Sequence, residues 1–212
     1  MRLIVVGCEY SGVTTLIDGL MAWGHARGIH HHLDDHFAIP DSQHISPEDA
    51  KQMLALSPLL KERFQRMQVV YHIRLMHRYD HILLGGFHLE EEIYGRLYYY
   101  PNTPTIGVRE YEAEMPEDTI LVHLKARPEV IQARMERAPH EYTVIKRADI
   151  PMLLDRFEQQ VRISWIRHKF AIDTSDLTPE QLLATFLERS IPHLNTRDLL
   201  TRFAEKGVSA PL

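Results

Sequence analysis

The sequence predicts an α/β domain built on a mainly parallel five-stranded sheet. Short apolar runs alternate with segments of helical period along most of the chain, the pattern of βαβ crossovers. The first of these runs ends in a glycine loop that opens straight into a helix. The 212 residues, 44% of them hydrophobic, suffice for one substantial core and carry no internal repeat or low-complexity tract, so a single domain over 1–212 is expected.

Leu3 to Val6 is a β-branched, continuously apolar run ending at Gly7, as in a strand buried on both faces. Leu16, Leu20 and Trp23 then recur at helical spacing, and Gly24 to Gly28 mark the exit. Ile29 to Leu33 is the second strand candidate despite its histidines. Ser46-Pro47 and Ser57-Pro58 are cap and first-turn pairs for a short helix and a long one reaching about Tyr79. Leu60, Phe64, Met67, Tyr71 and Leu75 are expected as the buried stripe of the long helix.

His81 to Leu84, ending in Gly85-Gly86, is the third strand, and Thr119 to Leu124 the fourth, followed by a helix from about Pro128. Pro101 to Asp118 lacks a period and reads as a long loop. Asp149 and Pro151 open a helix with Leu154, Phe157 and Val161 on one face. Lys169 to Ile172 is the fifth strand, and Thr178-Pro179-Glu180-Gln181 has capping-box spacing before a further helix. An amphipathic C-terminal helix is expected at about 196–206.

A formal charge of -5 gives no basic excess to draw the molecule onto a nucleic acid polymer or an anionic membrane. Cys8 is the only cysteine, which excludes an intramolecular disulfide framework and suits a reducing compartment. Leu3 to Val6 is too short for a signal peptide or a membrane span, so a soluble, cytoplasmic protein is expected.

Gly7-Cys8-Glu9-Tyr10-Ser11-Gly12-Val13-Thr14-Thr15 lies between the first strand and the first helix, where backbone N–H groups and the helix dipole favour an anion. It resembles the Walker A pattern of P-loop NTPases, Gly-x-x-x-x-Gly-Lys-Ser/Thr, with Val13 where the lysine belongs. An ordinary strand-turn-helix is the alternative. The resemblance implies that Gly7, Glu9, Tyr10, Ser11, Gly12, Val13, Thr14 and Thr15 bind the phosphates of ATP or another NTP, with Thr14 on Mg2+. The missing lysine requires another cation, or leaves catalysis absent.

The chain further resembles thymidylate, deoxynucleoside and related small-molecule kinases, from Met1 to about Arg189. That implies a three-layer P-loop kinase-like fold with a helical lid at about 125–149. Lys125, Arg127, Arg134 and Arg137 are candidate replacements for the lysine. Arg134 and Arg137, three apart on one helix face, are the pair able to clamp phosphates, unless the face is simply solvated. Asp34 or Asp35, after the second strand, is the general-base candidate by analogy, or else a turn acid. Gly85-Gly86 stands where those kinases carry an Asp-Arg pair, and Glu90 to Glu92 are carboxylates that could return to the metal. Phe170 to Ser175 resembles the strand and loop beside the adenine.

Two functions therefore compete. One is an ATP-dependent phosphotransferase acting on a nucleoside, nucleotide or small hydroxylated substrate; the other is a nucleotide- or anion-binding module without transfer. Either is expected to act on small molecules, with monomer and homodimer both open. Lesser readings are a metal set of His30, His32, Asp34 and His36, base stacking by Phe87, Tyr94 and Tyr98 to Tyr100, and an oxidation switch at Cys8.

Overall fold

The computed structural model describes residues 1–34, 46–140 and 143–204. Its sheet comprises β1 (Arg2–Val6), β2 (His32–Asp34), β3 (Ile82–Gly85), β4 (Thr119–Lys125) and β5 (His168–Asp173), in the order β2-β3-β1-β4-β5. Every pairing is parallel, with Leu3 opposite both Leu83 and Ile120. The helices are α1 (Val13–His25), α2 (Pro47–Ala55), α3 (Pro58–Arg78), α4 (Phe87–Glu90), α5 (Val108–Ala113), α6 (Pro128–Arg137), α7 (Ile150–Ile163), α8 (Pro179–Arg189) and α9 (Thr196–Ala204). A π-helical stretch, Glu91–Tyr99, continues α4.

Alternation along β1 divides the core between the sheet's two faces. Ile4 and Val6 point with Leu84 into a cluster containing Val69, Ile73 and Met76 of α3, Phe87, Tyr94 and Phe157. Leu3 and Val5 point the other way, onto Leu16, Ile17 and Leu20 of α1 and Leu182 and Phe186 of α8. Each of these fully buried aliphatic side chains contributes about 1.5–3 kcal/mol by leaving water. The result is a three-layer α/β sandwich. At α8 the Thr178 hydroxyl accepts from the Gln181 N–H while the Gln181 side chain accepts from the Thr178 N–H, completing the expected capping box. No helix among the described residues is long and apolar enough to cross a membrane.

The structure corrects the sequence reading in three places. The second strand is His32–Asp34 rather than Ile29 to Leu33. Residues before it are taken up by the exit turn of α1, where Gly28 has φ +70° and the Ile29 N–H donates to the Gly24 carbonyl at 2.9 Å.

The buried stripe of α3 is also not the one its hydrophobic period indicates. Leu60, Met67 and Tyr71 are more than half exposed, at 53%, 60% and 53%. Of the expected stripe Leu75 is buried as expected, and it shares the inner face with Glu62, Gln65, Val69, His72, Ile73 and Met76. Polar members of that face are satisfied locally: Arg66 pairs with Glu62 at 3.3 Å, and a His72 ring nitrogen lies 2.8 Å from the Gln68 carbonyl.

Finally, α5 interrupts the expected loop from Pro101 to Asp118. It is pinned by Glu112, which contacts His88 Nε2 at 3.0 Å, pairs with Arg109 at 2.5 Å and accepts from the Trp165 N–H at 2.7 Å. Burial alone would raise the Glu112 pKa, but these donors together bring it down to about 2.

Candidate functional site: a phosphate loop without its lysine

Between β1 and α1 the chain must turn sharply beneath the carboxyl ends of the strands. Gly7 is required there by space, since a Cβ would sit 2.5 Å from the Leu124 carbonyl oxygen and also collide with Ser11 Oγ. Gly12 is required by conformation, with φ +103° as the residue that opens α1. Tyr10 adopts φ +67°, an uncommon geometry for a residue with a side chain. No side chain caps α1, so its first N–H groups are left without a side-chain acceptor, as an anion site would require.

Three long-range contacts fix the loop. The Glu9 N–H donates to the Tyr94 hydroxyl at 2.9 Å. The Thr174 hydroxyl donates to the Ser11 carbonyl at 2.7 Å. Arg134 donates to the Tyr10 carbonyl at 2.9 Å and to Thr174 Oγ1 and O at 3.1 and 2.7 Å. Burial, and then the neighbouring Arg137 charge, lower the Arg134 pKa.

The loop floors a pocket of about 570 Å³. Gly7 to Thr15 form one side, joined by Gly85-Gly86 and Glu90 at the end of β3, Arg134 and Arg137 of α6, His140, and Thr174 with Leu177 to Pro179 before α8. β1 lies between β3 and β4, so the pocket sits outside the strand carboxyl ends where the strand order reverses, the usual ligand position in open α/β sheets.

The predicted residues divide clearly. Gly7, Glu9, Tyr10, Ser11, Gly12, Val13, Thr14 and Thr15 line the pocket together with Arg134 and Arg137. Thr14 is exposed, whereas Val13 is half-buried and packs against the α1 and α8 core. Arg137 makes no hydrogen bond or ion pair with the described residues. Of the other cations, Lys125 pairs with Glu158, and Arg127 holds Asp176 through two bonds of 2.8 and 2.7 Å, so neither lines the pocket. Asp34 ends β2 at the sheet edge; its side chain, Asp35 and His36 lie outside the described residues.

The lesser expectations fare differently. Among the described residues no three His, Cys, Asp or Glu side chains converge to hold a metal. His32 stacks on Tyr79 with centroids 4.5 Å apart, while the Asp34 side chain and His36 of the expected set lie outside the described residues. Cys8 is 1% exposed, and burial pushes its thiol pKa up to about 12, the reverse of what an oxidation switch needs. Tyr94 and Tyr100 are buried rather than offered to a base, and the Tyr98 hydroxyl donates to Asp149 at 2.9 Å. Only Tyr99 of that group reaches the pocket. Thr174 and His140 were not singled out individually from the sequence. Thr174 falls in the adenine-side segment, but nothing local indicates its hydroxyl's reach across to Ser11.

The sheet order, the loop at its switch point and the α6 arginines together define a P-loop kinase-like fold. Comparison with solved structures agrees. The chain is similar to the YorR protein of Bacillus subtilis in complex with phosphorylated GDP, at 16% identity and a TM-score of 0.57, covering 92% of this chain and 99% of that one. It is similar to deoxyadenosine kinase from M. mycoides with bound dATP, at 13% identity and 0.59, covering 89% and 98%. It is also similar to thymidylate kinase from Candida albicans, at 13% identity and 0.56, covering 89% and 90%. At these identities the likeness is one of fold. No protein-family model and no curated protein matches the sequence.

Proposed function

We propose that the chain binds a nucleoside triphosphate with Mg2+ and acts as an ATP-dependent phosphotransferase on a nucleoside, nucleotide or small hydroxylated acceptor. One observation carries this reading: the uncapped start of α1 and the exposed Arg137 line the same pocket of about 570 Å³, large enough for a nucleotide. Solved neighbours of this fold bind phosphorylated GDP and dATP. The residues fit the phosphates: N–H groups of Gly12 to Thr15 would hold them, and Arg137 would supply the charge that Val13 cannot. Thr14 would offer its hydroxyl to the metal. Asp34 or Asp35 would take the acceptor proton, and Arg134 would act by holding the loop and the α6 face in place. Transfer in such a site is mainly positioning and electrostatics, so a displaced cation can replace a missing one. The reading implies a cytoplasmic protein that works on small molecules rather than on a nucleic acid polymer or a membrane, whether alone or as a homodimer.

A second reading, binding without transfer, is favoured by Val13 and Gly85-Gly86, which remove a lysine and an acidic-basic pair from the pocket. Calorimetric titration with ATP, ADP and GTP, with and without magnesium, tests the shared premise. Magnesium-dependent binding is expected, at micromolar dissociation constants on the order of −8 kcal/mol. No heat with any nucleotide sinks both readings. If binding is seen, ADP release with candidate acceptors separates them, and Val13→Lys is expected to tighten binding in either case.

A further inference from the structure

Leu60, Phe64, Met67 and Tyr71 recur along α3 at spacings of four, three and four residues, the period of a coiled-coil seam. The seam runs for about 16 Å, three helical turns. Leu60, Met67 and Tyr71 stand exposed on it and Phe64 is half-buried, while the other side of the helix packs on the π-helical stretch and α5. Leu59 is exposed with them, as is Leu54 of α2. Among the described residues, five of the eight exposed large hydrophobic side chains therefore lie on these two helices. Scattered exposed leucines are ordinary on a protein surface, but a concentration of this kind marks a contact surface.

The charges beside the seam select its occupant. The line of seam positions continues into Arg74 and Arg78, and Arg63 lies next to it; all three are exposed. Glu62, the one acid of α3, is buried and paired with Arg66 at 3.3 Å. We propose that this face docks an acidic amphipathic helix of another protein, whose apolar side chains meet the seam and whose carboxylates meet Arg63, Arg74 and Arg78. A second copy laid α3 against α3 brings only like charges together along the seam, whatever the register. A bilayer takes up a broad apolar face, whereas this one is a narrow strip. Neither α2 nor α3 contributes a described residue to the phosphate pocket, so docking here stands or falls apart from the nucleotide reading.

The probe is a pair of labelled synthetic helical peptides of about three heptads, both with leucine at the seam positions. One carries glutamate beside the seam and the other lysine. Fluorescence anisotropy with the full chain is expected to show binding of the glutamate peptide alone, weakened by added salt. Met67→Glu should weaken that binding by about tenfold or more. Arg63→Glu with Arg74→Glu should transfer the preference to the lysine peptide. All three positions are exposed, so the urea midpoints should match the parent and show each variant folded. Binding of neither peptide, equal binding of both, or binding untouched by Met67→Glu would overturn the proposal. A dimer in sedimentation velocity that Met67→Glu dissolves would overturn it in favour of a second copy. Flotation with phosphatidylserine vesicles would overturn it in favour of a membrane surface.

Discussion

Arg134 and Arg137 lie one helical turn apart and line the same pocket, yet the structure gives them opposite occupations. Arg134 is tied to the Tyr10 carbonyl and twice to Thr174, whereas Arg137 bonds to no described residue. Arg134→Ala removes three bonds from a charged donor, each worth about 1.5–3 kcal/mol when isolated. Because they share one half-buried guanidinium and are not additive, a total of about 3 kcal/mol is expected. With a urea dependence of about 3 kcal/mol per molar for a chain of this size, the unfolding midpoint falls by about 1 M. Arg137→Ala should shift stability by no more than about 0.5 kcal/mol, or roughly 0.2 M in the same units. Its cost falls on ligand instead, with loss of one charged phosphate contact weakening magnesium nucleotide by about tenfold to a hundredfold and abolishing any turnover. Urea unfolding followed through Trp23 and Trp165, alongside calorimetry, separates the two. Matching midpoints for the variants would refute the division of labour, and so would full nucleotide affinity in Arg137→Ala.

Acid should expose the buried Glu112 network. Its pKa is depressed from 4.5 to about 2, so its contribution is fully present above pH 4.5 and is lost as the pH falls toward 2. His88, whose pKa burial lowers, acts in the same direction below its ordinary value of 6.5. Stability is expected to fall by on the order of 3 kcal/mol from Glu112 between pH 4.5 and 2. Glu112→Gln, less stable at neutral pH, should show a flatter acid limb, and an unchanged slope in denaturation against pH would count against the pairing. At pH 8, Cys8 should react with a thiol reagent roughly a thousandfold more slowly in the native chain than in urea, from the raised pKa alone. Rapid native labelling would contradict its burial.

Where one residue type dictates its own environment, the sequence was a sufficient guide. β1 is legible because a run of branched aliphatics ending at glycine has little alternative to a doubly covered strand, and the phosphate loop is legible because Gly7 and Gly12 meet needs of space and φ that no other residue meets. α3 was legible as a helix but not in its orientation. Its inner face includes Glu62, Gln65 and His72, so apolar period pointed to the solvent side at Leu60, Met67 and Tyr71. α5 was hidden because six residues give no measurable period, and its anchor is a buried hydrogen-bonded contact to a histidine 24 residues away. Within the pocket, the loop and both arginines could be named from spacing. That Arg134 is a brace and Arg137 is not could not, since the distinction lies in Thr174, forty residues away in sequence.

The three contacts that hold the loop come from Tyr94, Thr174 and Arg134, and none touches position 13. The shape of the anion site is therefore independent of the residue that would ordinarily charge it. A chain built this way can take a lysine at position 13 in one substitution without rebuilding the contacts that hold the loop. Geometry and charge at this site are therefore set by different residues.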